Sequence, residues 1–253
     1  MRGPILDRVA ILGIDIGGSG IKGNLVDPAN GHLVAERHKI STPRPSTPDA
    51  VADVVHQMID HFEYEGPVGC TFPAIVKNGV AYSAANVDES WIGTNAEALF
   101  ESRSPGHDFT MLNDADAAGI AEMAFGAGKG RMGVVIVVTF GTGIGSGMFL
   151  DGKLIPNTEL GHIHFDGHAP VEVWAAARVK TEEDLTWEEW AGRASAYFNH
   201  LDRIFSPDLF VFGGGVSRRW DTIGHHLQVD VDVVPAVLQN EAGIVGAAMA
   251  STL

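Results

Sequence analysis

Two glycine-rich segments, each set between strand-like apolar runs, constrain this chain more than any other feature. The first is ILGIDIGGSGIKGNLVD at residues 11–27, and the second is VVIVVTFGTGIGSGMFLD at residues 134–151. Glycine weakens a strand, so these glycines indicate turns at which bare backbone approaches another group closely.

The two segments share an order of elements as well as their glycines. Because strand, glycine turn, strand and Asp-containing turn recur, we interpret the chain as an internal duplication. We expect two α/β domains of ribonuclease-H-like topology, spanning residues 1–111 and 112–253, with the last helix packed back on the first domain. A shift of 124 positions aligns three identical pairs, Gly17 with Gly141, Gly23 with Gly147 and Asp27 with Asp151.

The other segments carry start and stop signals of helices and strands. Apolar residues at helical spacing predict helices, Asn-Gly predicts a hairpin turn, and Thr followed three residues later by Glu predicts a helix start. The predicted features are a helix over Asp49–Phe62, a turn at Asn78-Gly79, helix starts at Thr94/Glu97 and Thr186/Glu189, and a long helix from the second start to about Phe205.

Composition narrows the class of protein. The chain has 253 residues, 45% of them hydrophobic, and a net charge of −15, which argues against a nucleic-acid or anionic-membrane partner. A single cysteine, Cys70, excludes an intramolecular disulfide and a cysteine-rich zinc site. Asp7 and Arg8 interrupt the N-terminal apolar residues, unlike a signal peptide, so we expect a cytoplasmic protein. We interpret Cys70 as a buried small hydrophobe and Trp91, Trp174, Trp187 and Trp190 as core or interface residues.

The glycine turns match neither of two common phosphate-binding motifs. A dinucleotide fingerprint has its glycines between a strand and a helix, and a Walker loop ends in Gly-Lys-Ser/Thr. What remains is a strand–turn–strand whose backbone N–H groups can receive an anion, with ordinary bulged hairpins as the alternative. A third glycine cluster, Gly213-Gly214-Gly215, favours the anion-binding interpretation.

These segments resemble the ROK family of sugar kinases and repressors, within the actin–hexokinase superfamily. Asp15-Ile-Gly-Gly-Ser-Gly resembles its first phosphate loop, Thr139–Gly145 its second, and Phe212–Ser217 its adenosine segment. The similarity covers nearly the whole chain and implies two domains that face each other across a cleft. It implies phosphate or nucleotide contacts from Gly17, Gly18, Ser19, Gly20, Lys22, Thr139, Gly141, Thr142, Gly143, Gly213, Gly214 and Gly215.

The resemblance also implies a Mg²⁺ site. It places Asp15 at the metal end of the phosphates, where the carboxylate holds metal-bound water; the alternative is an Asp that caps a turn. Many bacterial members carry a cysteine-rich zinc motif, and this chain departs from that pattern because the cysteines are absent. We therefore expect no structural zinc.

The Leu-Asn-Asp-Ala segment at 112–115 lies where a strand gives way to a helix. By resemblance Asn113 binds the sugar and Asp114 is the general base that takes the proton of the 6-hydroxyl, while the alternative for Asp114 is a helix N-cap. Asp116 points elsewhere on the helix, and we expect it to be solvated.

Three further residues are assigned to the sugar by the same resemblance. Glu159 and His162 match the family's Glu-x-Gly-His, and Glu172 matches a sugar-binding Glu across the missing zinc loop. Asn86 is interpreted either as part of the same pocket or as a turn asparagine.

Several segments are most similar to the branch of the family that uses polyphosphate, namely GIDIGGSGIKG, TFPA, AANVD and PNTELGHI. This resemblance implies Mg²⁺-dependent transfer from polyphosphate or ATP to the 6-hydroxyl of glucose or mannose. The sequence leaves open the preferred sugar, the relative use of the two donors, and a monomer or a homodimer. Near the glycine turns we expect a strip of cations for the polyphosphate chain, formed by Lys22, Lys129, Arg131, Arg218 and Arg219.

Other classes remain as alternatives. His162, His164, Asp166 and His168 alternate as the ligands of a metal-dependent hydrolase do, although one extra residue precedes His168 and the phosphate loops stay unexplained. A ROK repressor needs a DNA-binding domain, and only about ten residues precede the first glycine strand. A nucleotide-switched protein of the actin type would explain the loops but not the Asn-Asp and Glu-x-Gly-His segments.

Overall fold

Residues 10–84 and 87–252 are described by a computed structural model of the chain. Their strands are β1 (Ile11–Ile16), β2 (Ile21–Val26), β3 (His38–Ile40), β4 (Val68–Phe72), β5 (Val76–Lys77), β6 (Val80–Ala81), β7 (Phe109–Asn113), β8 (Val134–Phe140), β9 (Ile144–Leu150), β10 (Lys153–Ile155), β11 (Leu209–Gly213) and β12 (Val233–Pro235). Their α-helices are α1 (Pro48–His61), α2 (Ala96–Arg103), α3 (Asp114–Phe125), α4 (Glu172–Ala175), α5 (Ala177–Glu182), α6 (Trp187–Phe205), α7 (Trp220–Ile223) and α8 (Ala242–Ala250). Short 3₁₀ turns lie at Glu89–Trp91, Leu160–His162, Gly215–Arg219, Gly224–His226 and Gln239–Glu241. None of the described helices is both long enough and apolar enough to cross a membrane.

The described chain folds into two units. The first contains the residues up to Ala121 together with those from Glu241 onward, and the second is Glu122–Asn240. The sequence-based division at residues 111 and 112 stays a prediction, and the two units are used in the description below.

Each unit is built on a five-stranded sheet of the same topology. The first sheet has the order β3-β2-β1-β4-β7 and the second β10-β9-β8-β11-β12. In both sheets the first three strands are antiparallel, and the last three are parallel to one another. The predicted α/β class and the predicted duplication are therefore confirmed.

Strand register refines the match between the two halves. The first glycine turn lies between the paired residues Ile16 and Ile21, whereas the second lies between Phe140 and Ile144 and is one residue shorter. The 124-position shift consequently holds only before the turns. Beyond them Ser146, which pairs with Val138, replaces Gly147 as the counterpart of Gly23, which pairs with Ile14.

In the first unit, α8 packs directly on the strand backbones. A Cβ added to Gly13 would lie 2.0 Å from Ile244 O, and one added to Gly69 would lie 1.7 Å from Ala247 O. Because α8 is rich in alanine and glycine, its own backbone can approach β1 and β4 this closely. Helix α1 confirms the predicted helix near residues 49–62, begins after the N-cap Thr47, and buries Val51, Val55 and Met58.

In the second unit, aromatic rings fill the core between the sheet and α6. Phe140 meets Trp190 edge to face at 5.3 Å between ring centroids and lies 5.1 Å from Phe212. The predicted start of α6 is confirmed, because Thr186 and Glu189 form a reciprocal capping box. Of the four tryptophans predicted to be core or interface residues, Trp91 and Trp190 are fully buried, whereas Trp174 and Trp187 are partly buried against this core.

Two local predictions are wrong. Asn95, rather than Thr94, caps α2, since its side chain accepts the N–H of Ala98 while the Thr94 hydroxyl donates to Ser90 O. Asp116, predicted to be solvated, is 1% exposed, because the first turns of α3 pack inside the unit.

Cys70 confirms its prediction as a buried hydrophobe. It lies in the middle of β4 and is fully buried. Burial, and to a lesser extent the charge of Glu97, raises the pKa of the Cys70 thiol far above its ordinary value. The thiol is therefore a packing group at neutral pH.

The contact between α8 and the sheet predicts the cost of a side chain at residue 69. Gly69→Ala would force the helix backbone away from β4, so we expect a loss of about 3 kcal/mol in the free energy of unfolding, measured in urea. Gly192→Ala is the matched control, because this helical glycine is exposed with nothing within 4 Å of an added Cβ. There we expect a gain of about 0.5–1 kcal/mol. Equal stability of the two variants would contradict the prediction.

Candidate active site

The first glycine turn, residues 17–20, holds its backbone so that N–H groups face outward. Gly17 donates its N–H to Gly20 O at 3.1 Å, and Gly17 O accepts a hydrogen bond from the Thr42 hydroxyl. Across a trans peptide the C=O and the following N–H point in opposite directions, so the Gly18 N–H points away from Thr42. Because Gly18 and Ser19 are exposed, the turn can offer backbone donors to an anion.

A row of polar side chains crosses the first sheet beside this turn. In the strand register Asp15 lies between Thr71 and Lys22, and Lys22 lies opposite Lys39. The Asp15 carboxylate accepts from Thr71 Oγ1 at 2.9 Å and pairs with Lys22 Nζ at 3.2 Å. Lys39 extends over the turn, since a Cβ on Gly20 would lie 2.6 Å from its Cε. One carboxylate against two lysines leaves net positive charge next to the outward N–H groups.

The start of α8 also lies against Asp15. A Cβ on Gly243 would be 3.2 Å from the carboxyl carbon of Asp15, so glycine allows the helix to begin at this distance. The N-terminal end of a helix favours negative charge, which stabilises the carboxylate at this position.

The Asn113-Asp114 pair joins β7 to α3. The side-chain oxygen of Asn113 accepts the N–H groups of Ala115 at 2.8 Å and Asp116 at 3.2 Å, and its amide nitrogen donates to Ala74 O at 3.1 Å. Asn113 is therefore the helix cap, and the N-cap alternative for Asp114 is wrong. Asp114 is the first helical residue, is exposed, and accepts the Ala115 N–H at 2.8 Å.

The second glycine turn, residues 141–143, is fastened by Arg178 of α5. The backbone N–H of Arg178 donates to Gly141 O at 3.2 Å, and its Nε donates to Thr142 O at 2.5 Å. The same planar geometry points the N–H groups of Thr142 and Gly143 away from Arg178. This turn thus has the same arrangement as the first, with carbonyls held and donors outward.

The third glycine cluster lies against the end of β8. Gly214 has a φ of 82°, and a Cβ there would lie 2.2 Å from Phe140 O, so only glycine fits. Gly213 pairs in register with Thr139. The cluster and the second glycine turn therefore share one edge of the second sheet, and Gly215 follows at the surface.

Three predicted sugar-binding residues lie together in the second unit. His162 is between two carboxylates, with Nδ1 at 3.7 Å from Glu159 Oε2 and Nε2 at 3.8 Å from Glu172 Oε1. Glu172 in turn accepts the Ile144 N–H at 3.0 Å, directly after the second glycine turn. A Cβ on Gly161 would lie 2.1 Å from Ile144 O, which explains the glycine within Glu-Leu-Gly-His.

Two side chains pack on the ring of Trp174, which follows Glu172 by two residues on α4. His168 stacks on it with ring centroids 4.8 Å apart and an interplanar angle of 8°. The Arg193 guanidinium lies 5.5 Å from the ring centroid, donates to Trp174 O at 2.9 Å, and pairs with Glu183 at 2.6 Å. This arrangement, the Trp174 stack, fixes the short helix α4 that carries Glu172.

The histidine segment does not form the strand face that a metal site would need. Leu160–His162 is a 3₁₀ turn, and Phe165 bridges to His168 around a turn at Asp166-Gly167. Among residues 10–84 and 87–252, no group of three His, Cys, Asp or Glu is placed to hold a metal ion. The hydrolase alternative therefore has no support. Asn86 lies outside the described residues.

The predicted cation strip is not continuous. Gly133, two residues after Arg131, donates its N–H to Asp151 at the far end of the β8–β9 hairpin. The seven residues of β8 span about 20 Å between there and the second glycine turn. The prediction that Arg131 lies beside a glycine turn is wrong, because it belongs to the opposite edge of the sheet. Lys129 is exposed in the turn that follows α3.

Sequence reasoning missed three residues of these turns: Thr71, Lys39 and Arg178. Thr71 stands in the TFPA segment, but its bond to Asp15 depends on the pairing of β4 with β1. Lys39 reaches Gly20 only through the pairing of β3 with β2. Arg178 contacts a turn 36 positions earlier in the chain, and no local sequence pattern predicts such a contact.

Solved structures resemble this fold over nearly the whole chain. An inorganic polyphosphate/ATP-glucomannokinase from Arthrobacter sp. strain KM matches with a TM-score of 0.89 and 47% identity, covering 96% of this chain and 98% of that one. A ROK family glucokinase from Streptomyces griseus, solved with glucose and AMPPNP, matches with a TM-score of 0.78 and 26% identity, covering 94% and 98%. The fold is thus that of the actin/hexokinase-like sugar kinases.

Sequence comparison gives the family within that class. The ROK family pattern matches residues 11–177, and the polyphosphate glucokinase of Mycobacterium tuberculosis is 49% identical over 239 residues, covering 94% of this chain and 90% of the relative. This chain belongs to the ROK family.

Proposed function

We propose that this protein is a sugar kinase that transfers a phosphoryl group from inorganic polyphosphate or ATP to the 6-hydroxyl of glucose. The observation that carries the proposal is the pair of glycine turns with outward backbone N–H groups, in a chain nearly half identical to polyphosphate-using sugar kinases. Mannose is proposed as a second acceptor because the Arthrobacter relative is a glucomannokinase.

The donor's phosphates would be bound mainly by backbone. Phosphoryl transfer leaves little covalent chemistry to the protein, so positioning and charge neutralisation dominate catalysis. The N–H groups at Gly18, Thr142 and Gly143 can donate to phosphate oxygens, and Lys22 and Lys39 supply positive charge beside the first turn. The Gly213–Gly215 cluster is proposed to receive the adenosine of ATP.

The residues around Asp15 fit a Mg²⁺ ion held through water. Mg²⁺ prefers oxygen ligands, retains several waters, and in kinases binds one or two carboxylates plus substrate phosphates. Both oxygens of Asp15 are engaged, by Thr71 and by Lys22, which leaves it suited to bind a hydrated ion rather than to coordinate directly. When bound, the ion would neutralise charge on the phosphates.

At the sugar, Asp114 would act as general base. Its place at the first residue of α3 favours its negative charge, and capping by Asn113 leaves Asp114 with a position at the surface. Proton removal would raise the nucleophilicity of the 6-hydroxyl as it attacks the terminal phosphoryl group. Glu159, His162 and Glu172 are proposed to orient the other hydroxyls, and Asn113 to contribute its amide.

The enzyme is proposed to work in the cytoplasm, where ATP is present, and the expectation of a homodimer stays a prediction. The direct test of function is four assays, glucose and mannose each with ATP and with long polyphosphate. We expect turnover of glucose with both donors, dependent on Mg²⁺ and abolished by a chelator. Absence of glucose phosphorylation with either donor would contradict the proposal.

Replacing the proposed base should lower turnover without removing the sugar. For Asp114→Asn we expect kcat to fall about 10²-fold or more, while glucose binding measured by calorimetry is retained. Asp108→Asn is the control, since this exposed carboxylate lies at the opposite end of β7. Near-normal kcat in the Asp114 variant would remove the assignment.

Loss of the Trp174 stack should weaken sugar binding in particular. Because the ring positions α4 and hence Glu172, we expect Trp174→Ala to raise KM for glucose about tenfold, with smaller changes in kcat and in KM for ATP. Trp174→Phe, which keeps a stacked ring, should restore KM to within about threefold of the wild type.

A general loss of stability would not produce this pattern. Trp220→Ala removes a ring of the same size from contact with Phe212, so it controls for lost packing. An equal increase in glucose KM in the Trp220 variant, or no rescue by Phe, would contradict the positioning role of Trp174.

A further inference from the structure

Three elements of the second unit converge on one tryptophan that carries two cations. Lys180 of α5 has Nζ 5.3 Å from the ring centroid of Trp187, and Arg219 has Cζ 5.5 Å from the same centroid. Trp187 is the first residue of α6, and Arg219 ends the 3₁₀ turn after the third glycine cluster. We name these three residues the Trp187 cluster.

The cluster lies at the edge of the sheet that carries the second and third glycine turns. Arg178, two residues before Lys180, binds the carbonyls of Gly141 and Thr142. Arg219 follows Gly214, whose α-carbon lies against Phe140 O at the end of β8. Arg178 itself is paired with Glu182 at 3.6 Å and lies behind the turn, so the positive charge near this edge is that of Lys180 and Arg219.

Neither cation of the cluster has a carboxylate partner among residues 10–84 and 87–252. In the described part of the chain no carboxylate oxygen lies within 4.0 Å of Lys180 or Arg219, although the chain has 32 acidic against 17 basic residues. The two charges are within about 11 Å of each other, a separation comparable to the screening length of about 8 Å at physiological salt. Two like charges held on one ring form a site to which an extended anion would be attracted.

We propose that the Trp187 cluster binds the distal phosphates of a polyphosphate chain whose terminal phosphates lie at the second glycine turn. The proposal rests on the proposed function. Polyphosphate carries charge on every phosphate, so a chain whose terminal phosphates lie at the second glycine turn can contact the cluster with its later phosphates. ATP has only three phosphates, and Lys180 and Arg219 already lie over the ring of Trp187. Binding of the nucleotide, with its adenine stacked on that ring in place of these cations, is the competing outcome that the experiment tests.

The test compares two variants that remove the same charge. Lys180→Ala/Arg219→Ala removes the cluster's cations. Lys153→Ala/Arg203→Ala is the matched control, because Arg203 is 16 residues, about 24 Å, from Trp187 along α6 and Lys153 pairs with Leu150 at the far end of the β8–β9 hairpin. Both residues of the control therefore lie at the end of the sheet that is opposite to the second and third glycine turns.

For the cluster variant we expect KM for long polyphosphate to rise about tenfold and to depend less on salt, while KM for ATP and tripolyphosphate stays within about twofold. The control variant should match the wild type with every donor. Lys180→Arg/Arg219→Lys, which keeps both charges, should restore most of the affinity for long polyphosphate. If the Ala variant fails to fold, Lys180→Gln and Arg219→Gln are measured singly, with about threefold expected from each.

Four results would overturn the assignment. An unchanged KM for long polyphosphate removes the cluster from the path, and an equal rise for ATP assigns it to the nucleotide. An equal effect of the control variant shows that only net charge matters. If the wild type uses ATP but not polyphosphate, polyphosphate is removed from the proposed function and the cluster assignment fails with it, whereas wild-type turnover of polyphosphate with an unaffected variant rejects the cluster alone.

Discussion

Close approach of backbone to backbone is the constraint on which the rest of this structure depends. At Gly69 the α8 backbone meets β4, at Gly161 the Glu-x-Gly-His turn meets Ile144 O, and at Gly214 the third glycine cluster meets Phe140 O. A Cβ at any of these positions would lie 2.2 Å or less from a carbonyl oxygen. The glycines therefore bring segments that are distant in sequence into direct contact, and those contacts position the side chains of the candidate site.

The same constraint explains how a backbone turn becomes a donor of hydrogen bonds. A turn can present N–H groups to a ligand only if its carbonyls are satisfied elsewhere, because each peptide carries both. Thr42 does this for the first turn, and Arg178 does it for the second. The proposed binding of phosphate would therefore depend, in each unit, on one residue behind the turn as much as on the glycines themselves.

Most of the fold could be predicted from the sequence, because its signals are local or periodic. The strands around both glycine turns, the helix near residues 49–62 and the capping box of Thr186 all follow from spacing within a few residues. The capping box predicted at Thr94 is wrong because the adjacent residue Asn95 caps the helix instead, and only the packed structure selects between adjacent caps. The predicted exposure of Asp116 is wrong because the position of one polar residue along α3 does not reveal what packs over it.

The site was predictable only as far as motifs extend along the chain. Asp15, Asn113, Asp114 and the Glu-x-Gly-His segment are contiguous patterns, whereas the row that joins Asp15 to Lys39 depends on strand register. The cations proposed to bind polyphosphate show the same limit in the opposite direction. Arg131 is close to a glycine segment in sequence but lies at the other edge of the sheet, whereas Lys180 and Arg219 are distant from each other in sequence and meet on one ring.

In an acidic protein, long-range attraction cannot guide a polyanion, so the arrangement of a few cations at the correct edge must do so. Under the proposal, the tertiary contact that brings Lys180 and Arg219 together, rather than a motif or the net charge of the chain, gives this protein its affinity for polyphosphate.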